Sequence, residues 1–200
     1  MINSTKPFAR GEWLFFKQQN NNKTMQKIDE KQIQEWKEKY GSVYELPVED
    51  KVAYLREPKM KDFKRAFTAM QNNGDLAFGE EMINVLFIGG DEEIKSNDDY
   101  FLPARKEIKE FFNFEEAEIT KEKNNSIITI AGAVCKVRII TRDDLKIAEK
   151  ENPSGKPFVT QEKLFDRICL EKDEAFNDRD NASLRFPLYQ AIEKLQSQKV

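Results

Sequence analysis

Histidine, the side chain whose ordinary pKa is nearest neutral pH, is absent from this chain of 200 residues, and cysteine occurs twice. Without histidine, no Ser-His-Asp or Cys-His catalytic arrangement can form, and zinc or iron sites with histidine ligands are excluded. Cys135 and Cys169 lie far apart in sequence and form no CxxC motif, so we expect two reduced, buried thiols. The sequence therefore predicts a protein that is not an enzyme and holds no metal or cofactor.

Two acidic segments, at 91–99 and 173–180, are the remaining candidates for chemistry, because carboxylates are oxygen ligands that Ca²⁺ and Mg²⁺ prefer. Neither segment has the spacing or the central glycine of an EF-hand loop, and acids also favour the start of a following helix. We interpret both as solvated loops with a structural role, and a metal-dependent enzyme is the weakest alternative. The acids are Asp91, Glu92, Glu93, Asp98 and Asp99 in the first segment, and Asp173, Glu174, Asp178 and Asp180 in the second.

The residues at 89–93, Gly-Gly-Asp-Glu-Glu, look like the GGDEF signature of diguanylate cyclases. In that domain the signature lies on a turn between strands. Here the apolar spacing up to Ile88 predicts a helix that stops at Gly89 and Gly90, with the glycines as its C-terminal cap. We therefore reject a cyclase.

The charge of the chain is nearly balanced, with 33 Lys and Arg against 36 Asp and Glu and a net charge of −3. A dominant phosphate-binding surface is not expected from this balance, so nucleic acid is not an expected partner. A basic cluster at 59–65 contains Phe63 and, one turn later, Phe67, which predicts a helix with buried rings and solvated lysines. No apolar stretch approaches the roughly 20 residues of a membrane span, and no signal peptide is predicted.

The elements that must position these residues begin with a helix between Asp29, its predicted N-terminal cap, and Gly41. Two β-prone runs at 43–48 and 51–56 flank two acidic residues and predict a β-hairpin. Pro47 places its strand at a sheet edge or marks a bulge.

Three helices are predicted after the hairpin, the first ending near Gly74, the second at Gly89, and the third following Pro103. The same order then returns. A second hairpin is predicted within 127–140, followed by a helix that starts at Asp143 or Asp144 and by two more helices, of which the last carries the apolar residues of 184–195. The expected fold class is α+β, with two tandem related units, each a β-hairpin followed by about three helices, behind an N-terminal arm and helix.

A constant offset that places Val134 on Val52 aligns the second unit with the first, without a gap from Val52 to Ile94. A two-residue insertion then aligns Pro103 with Pro187. Few residues are identical, but the matched order of elements predicts an internal duplication. Units of about 80 residues are marginally stable alone, so we expect the two to pack on one another or on other subunits. Residues that match across this offset include Val52 and Val134, Arg56 and Arg138, Asp62 and Asp144, Lys64 and Lys146, Glu80 and Glu162, and Asp91 and Asp173.

The segment 1–24 differs from the rest of the chain, because an aromatic cluster is followed by a tract rich in Gln and Asn. This segment is either a disordered tail or upstream extension, or an arm whose aromatic side chains dock on a partner. The candidate docking residues are Phe8, Trp13, Phe15 and Phe16. The expected division is an arm at 1–24, a first α+β unit with its entry helix at 25–119, and a second, duplicated unit at 120–200.

Three short segments, at 39–46, 51–58 and 89–95, carry a resemblance to known proteins. They read Lys-Tyr-Gly-Ser-Val-Tyr-Glu-Leu, Lys-Val-Ala-Tyr-Leu-Arg-Glu-Pro and Gly-Gly-Asp-Glu-Glu-Ile-Lys. The stretch 36–119 resembles tail-assembly-chaperone-like or structural proteins of phages and prophages of Bacteroides-type bacteria. The resemblance implies a role in binding and solubilising the tape-measure protein, or in otherwise ordering virion assembly, and it assigns no functional residue.

The sequence thus predicts a non-enzymatic phage assembly or virion structural protein that acts by protein–protein binding, in the host cytoplasm or in the virion. Its expected partners are the tape-measure protein, another tail or capsid component, or further copies of itself. The alternative is a phage-encoded regulatory or interference protein that binds a host factor.

Overall fold

The computed structural model describes residues 28–110 and 114–197, and the α+β class predicted from the sequence is confirmed within them. The first unit forms a three-stranded antiparallel sheet in the order β1-β2-β3. Its elements are α1 (Glu30–Tyr40), β1 (Val43–Val48), β2 (Lys51–Arg56), α2 (Met60–Asn73), α3 (Asp75–Leu86), β3 (Phe87–Gly90), α4 (Glu93–Ser96) and α5 (Asp98–Glu110).

The second unit forms a four-stranded antiparallel sheet in the order β4-β5-β6-β7. Its elements are β4 (Glu118–Glu122), β5 (Asn125–Ile130), β6 (Ala133–Arg138), α6 (Arg142–Lys150), α7 (Val159–Ile168), β7 (Cys169–Lys172), a 3₁₀ turn (Glu174–Asn177) and α8 (Ala182–Ser197). β4 lies on both sides of the boundary expected between residues 119 and 120. No helix in the described ranges is long and apolar enough to cross a membrane.

The two sheets have the same strand register under the offset that places Val134 on Val52. Both hairpins pair identically, and in both units the third strand joins the sheet next to a bulge at the same place. The equivalent Cα pairs are Val43–Arg56 and Asn125–Arg138 in the hairpins, and Ala53–Gly90 and Cys135–Lys172 at the third strand. The two units therefore share a topology and a register as well as an order of elements.

The predicted ends of two helices are wrong, because each is followed by a strand. α3 ends at Leu86, so Ile88 and the two glycines lie in β3 and are not a helical cap. A Cβ on Gly90 would lie 2.2 Å from the carbonyl oxygen of Val52, so the close approach of two strands requires glycine there. Leu170 likewise lies in β7 and not in a helix.

Two helices also begin earlier than predicted, since a capping residue precedes each. α5 starts at Asp98 with Pro103 inside it. The Asn97 side chain accepts a hydrogen bond from the backbone N–H of Asp99 (3.0 Å), which starts the helix ahead of the proline. α6 starts at Arg142, and Thr141 is its cap.

The outer face of the first sheet is covered by α1. The ring centroid of Trp36 lies 5.6 Å from that of Tyr54, and a Cβ on Gly89 would lie 2.4 Å from the Trp36 ring. Tyr54 is buried by this contact. The glycine that looked like part of a signature therefore makes room for an indole ring.

The same face of the second sheet is exposed within the described part of the chain. Lys136 and Glu171 pair across its strands at the positions of Tyr54 and Gly89 in the first unit. Val134 is 39% exposed, whereas the equivalent Val52 is 4% exposed. The second unit therefore carries polar residues where the first carries a helix.

The first hairpin strand lies at the sheet edge in the first unit, whereas its equivalent, β5, is covered by a further strand in the second unit. β4 adds to β5, and Thr129 pairs with Glu118 there. The residue equivalent to Thr129 is Pro47, which has no N–H to offer a further strand. β1 is the edge strand of its sheet, as Pro47 predicts, and proline at an edge opposes pairing with other chains.

A cluster of aromatic rings joins the two units, and we call this contact the seam. The ring of Phe63 lies 5.3 Å from that of Phe186, and the ring of Phe67 lies 5.0 Å from that of Phe158. Phe63 and Phe67 come from α2, whereas Phe186 comes from α8 and Phe158 immediately precedes α7. Buried side chains of both units form one connected core through such contacts.

Polar contacts border the rings of the seam. The backbone N–H of Met60 donates to the carbonyl oxygen of Asp180 (2.9 Å). The Lys64 ammonium lies 2.6 Å from a Glu162 carboxylate oxygen, and Arg179 contacts the other oxygen at 3.0 Å. Burial alone would raise the pKa of Glu162, but these two cations lower it.

Truncation of the seam should destabilise the whole chain. Phe186→Ala removes a ring that packs beside four other aromatic rings, and we expect a loss of about 2–4 kcal/mol in the free energy of unfolding. The control is Leu102→Ala at the equivalent, exposed position of α5, for which we expect less than about 0.5 kcal/mol. Urea denaturation followed by circular dichroism measures both. Equal losses would contradict the seam as the joining contact.

Candidate binding surface at the end of the second sheet

A groove opens where β4, β6, the start of α6 and the end of α8 meet, and it encloses about 310 Å³. Its lining combines four basic side chains with four aliphatic ones, and no Asp or Glu of the described part of the chain lines it. The basic residues are Lys121, Lys123, Arg138 and Arg142, and the aliphatic residues are Ile139, Ile140, Leu145 and Leu195. We call this feature the basic groove.

The wall of the basic groove is fixed by an ion pair between a strand and a helix. Arg138, the last residue of β6, donates two hydrogen bonds to the Asp144 carboxylate, at 2.7 and 2.8 Å. Asp144 also accepts from the backbone N–H of Thr141 (3.0 Å), while the Thr141 hydroxyl oxygen accepts from the backbone N–H of Asp144 (3.2 Å). This reciprocal cap holds the first turn of α6 against the strand.

The same arrangement occurs in the first unit. Arg56 donates to both carboxylate oxygens of Asp62, at 2.7 and 2.9 Å, and Asp62 accepts from the backbone N–H of Lys59 (2.8 Å). We call each of these pairs a clamp. In both units the arginine ends the second hairpin strand and the aspartate is the third residue of the next helix.

Both clamp aspartates are held as carboxylates. The hydrogen bonds from Arg138 hold the pKa of Asp144 well below its usual range. Burial alone would raise the pKa of Asp62, but its hydrogen bonds from Arg56 and from the Lys59 backbone lower it below the usual value. At neutral pH both aspartates are therefore ionised, and each clamp is a pair of opposite charges.

Arg138 is held by Asp144, whose carboxylate Arg167 also approaches at 3.4 Å, so the cations of the basic groove that remain available to a partner are the other three. Lys121, Lys123 and Arg142 are exposed and form no ion pair with any residue in the described ranges. Ile139, which is 40% exposed, lies beside them. Cations beside exposed aliphatic side chains fit a partner segment that carries both carboxylates and apolar groups.

The candidate docking residues predicted from the sequence, Phe8, Trp13, Phe15 and Phe16, lie outside the described residues. The acidic segments do have structural contacts. The Asp91 carboxylate accepts from the backbone N–H of Val52 (2.9 Å), and the Asp173 carboxylate from that of Val134 (2.7 Å).

Within residues 28–110 and 114–197, no group of three or more His, Cys, Asp or Glu residues is placed to hold a metal ion. Cys135 is buried and Cys169 half-buried, and both are free thiols. Burial raises the pKa of the Cys135 thiol to about 12. This thiol is therefore protonated at neutral pH and is a poor nucleophile.

Sequence reasoning missed the basic groove. Lys121 lies near the end of β4 and Lys123 in the turn that follows, so both cations come from one end of the hairpin formed by β4 and β5. This signal could be used only if β4 were recognised, and β4 has the sequence Glu-Ile-Thr-Lys-Glu, in which three of five residues are charged and one is apolar, unlike a buried strand. Comparisons of the chain with protein families, curated proteins and solved structures returned no significant match.

Loss of a clamp should lower stability in a pH-dependent way. We expect Asp144→Asn to lower the free energy of unfolding by about 2–3 kcal/mol at pH 7, a value between those for exposed and buried ion pairs. The pKa of Asp144 is lower in the folded than in the unfolded chain. The stability that the ionised carboxylate contributes is therefore present above about pH 4 and is lost as the pH falls further. The variant should therefore lose less stability than the wild type between pH 5 and pH 2, as guanidinium denaturation at several pH values would show.

The control for this variant is Asp143→Asn, because Asp143 is the neighbouring residue and its side chain is 86% exposed. It should leave the acid dependence unchanged. Parallel acid curves for the wild type and Asp144→Asn would contradict the assignment of a clamp.

Proposed function

We propose that the protein is a non-enzymatic phage assembly or virion structural protein that acts by protein–protein binding, in the manner of a tail assembly chaperone. It would work in the host cytoplasm or as part of the virion. The three short segments that resemble such proteins support this proposal, and two of them include residues of the hairpin that the first clamp anchors.

The observation that carries the binding role is the basic groove. Lys121, Lys123 and Arg142, which pair with no carboxylate among the described residues, lie beside exposed Ile139 and form a surface that suits an acidic and partly apolar protein segment. The clamp between Arg138 and Asp144 holds this surface on a strand end and a helix start, so it is preorganised.

The first expected partner is the tape-measure protein, a long chain that needs protection from aggregation before the tail forms. A host factor bound by the same groove is the alternative, and it corresponds to a regulatory or interference role. The two proposed roles differ in whether the protein binds the tape-measure protein of the same phage.

Reversal of the free charges in the basic groove should abolish partner binding without unfolding the protein. The full chain is co-expressed with the tape-measure protein, and the soluble, co-purifying fraction of that protein is measured. Lys123→Glu with Arg142→Glu should lower this fraction several-fold, because the acidic segment would meet like charges.

The matched control is Lys150→Glu with Lys156→Glu, which changes the net charge equally at exposed residues outside the basic groove. It should retain the wild-type soluble fraction. A wild-type chain that leaves the tape-measure protein insoluble contradicts the proposed partner. Equal loss in both double variants contradicts the assignment to the groove.

A further inference from the structure

The seam joins two different faces of the repeated unit. The first unit contributes α2, with Phe63 and Lys64. The second contributes the region of α7 and α8, with Phe158, Glu162 and Phe186. Because the two units are equivalent, each has both faces, and one face of each is left unused by the seam.

The unused faces consist of the repeat-equivalent residues. On the second unit, α6 carries Leu145 and Lys146 at the positions of Phe63 and Lys64. On the first unit, Leu76, Glu80 and Leu102 stand at the positions of Phe158, Glu162 and Phe186. Each unused face therefore keeps the apolar or charged character of the face that forms the seam.

These residues lie at the surface of the molecule. Leu76 is 43% exposed and Leu102 is 48% exposed, which makes them the exposed large apolar side chains of the first unit in the described ranges. Leu145 is half-buried and lines the basic groove. Removing apolar groups at this exposure from water lowers the free energy, so a second surface that covers them is stabilised.

The retained pair of opposite charges is the second observation. Lys64 and Glu162 form the ion pair of the seam, at 2.6 Å. Their equivalents Lys146 and Glu80 are both exposed, and Glu80 forms no ion pair with a residue in the described part of the chain. The Lys146 ammonium lies 3.8 Å from a carboxylate oxygen of Asp143, a longer distance than the 2.6 Å of the ion pair in the seam.

We propose that a second copy of this chain binds head to tail by repeating the seam. The face of Leu76, Glu80 and Leu102 on one copy packs against Leu145 and Lys146 on the α6 of the next copy. Lys146 then pairs with Glu80 of the neighbouring copy, as Lys64 pairs with Glu162 within one chain. This inference goes beyond the proposed function, since it rests on the repeat-equivalent faces and not on the identity of the protein that the basic groove binds.

Differences between the two faces make this contact weaker than the seam. Phe67 of α2 is replaced by Glu149 in α6, and Tyr189 of α8 is replaced by Arg105 in α5. Two rings that both contact Phe158 in the seam thus become a carboxylate and a guanidinium, which attract each other but bury less apolar area. The association is therefore reversible and depends on concentration.

A head-to-tail contact uses different surfaces on the two copies, so each bound copy still has one free face. Assembly then continues beyond the dimer unless the copies close into a ring. The position of Leu145 in both the α6 face and the basic groove means that a neighbouring copy also covers part of the groove.

Sedimentation velocity of the full chain over a range of concentrations tests the proposal. The wild type should show a sedimentation coefficient that rises with concentration. Leu102→Glu should raise the dissociation constant about tenfold or more, because it places a carboxylate in the apolar contact. The matched control is Leu170→Glu, since Leu170 is 51% exposed on β7, away from both faces, and this variant should associate as the wild type does.

The charge pair allows a test by exchange. Glu80→Lys alone and Lys146→Glu alone should each weaken association, because like charges then face each other. The double variant should regain the wild-type behaviour. A wild type that stays monomeric up to its solubility limit overturns the proposal, as does equal weakening by Leu102→Glu and Leu170→Glu, or a double variant weaker than both single ones.

Discussion

The two Arg–Asp clamps are the interaction on which the rest of the structure depends. Each clamp ties the last residue of a hairpin strand to the first turn of the following helix, with two hydrogen bonds from one guanidinium to one carboxylate. This fixes where the helix leaves the sheet, and so fixes the face that the helix presents. In the first unit the face of α2 forms the seam, and in the second the start of α6 forms a wall of the basic groove.

Around this shared frame the two units meet the same physical demands by different means. A sheet edge must be paired or protected, and β4 pairs the edge in the second unit while Pro47 protects it in the first. A sheet face must be covered or polar, and Trp36 covers it in the first unit while Lys136 and Glu171 make it polar in the second. Part of the low identity between the units follows from this, because equivalent residues such as Tyr54 and Lys136 face different surroundings.

The sequence was sufficient to predict the α+β class, both hairpins and Asp29 as the N-terminal cap of α1, because alternation and capping are local signals. β3 and β7 could not be predicted, since each is short and is separated in the chain from its partner strand by two helices. The role of Gly89 was hidden for the same reason, because only the folded chain brings Trp36 to it. The basic groove was missed because its cations come from separate elements whose local sequences also contain acids.

The seam joins two equivalent units into one body. The faces that the seam leaves unused, and the basic groove, are the surfaces of that body that remain for binding. Differential scanning calorimetry of the full chain tests this central claim most directly. A shared core predicts one transition whose calorimetric and van't Hoff enthalpies agree. Two separate transitions, one for each unit, would show that the seam does not join them and would contradict the claim.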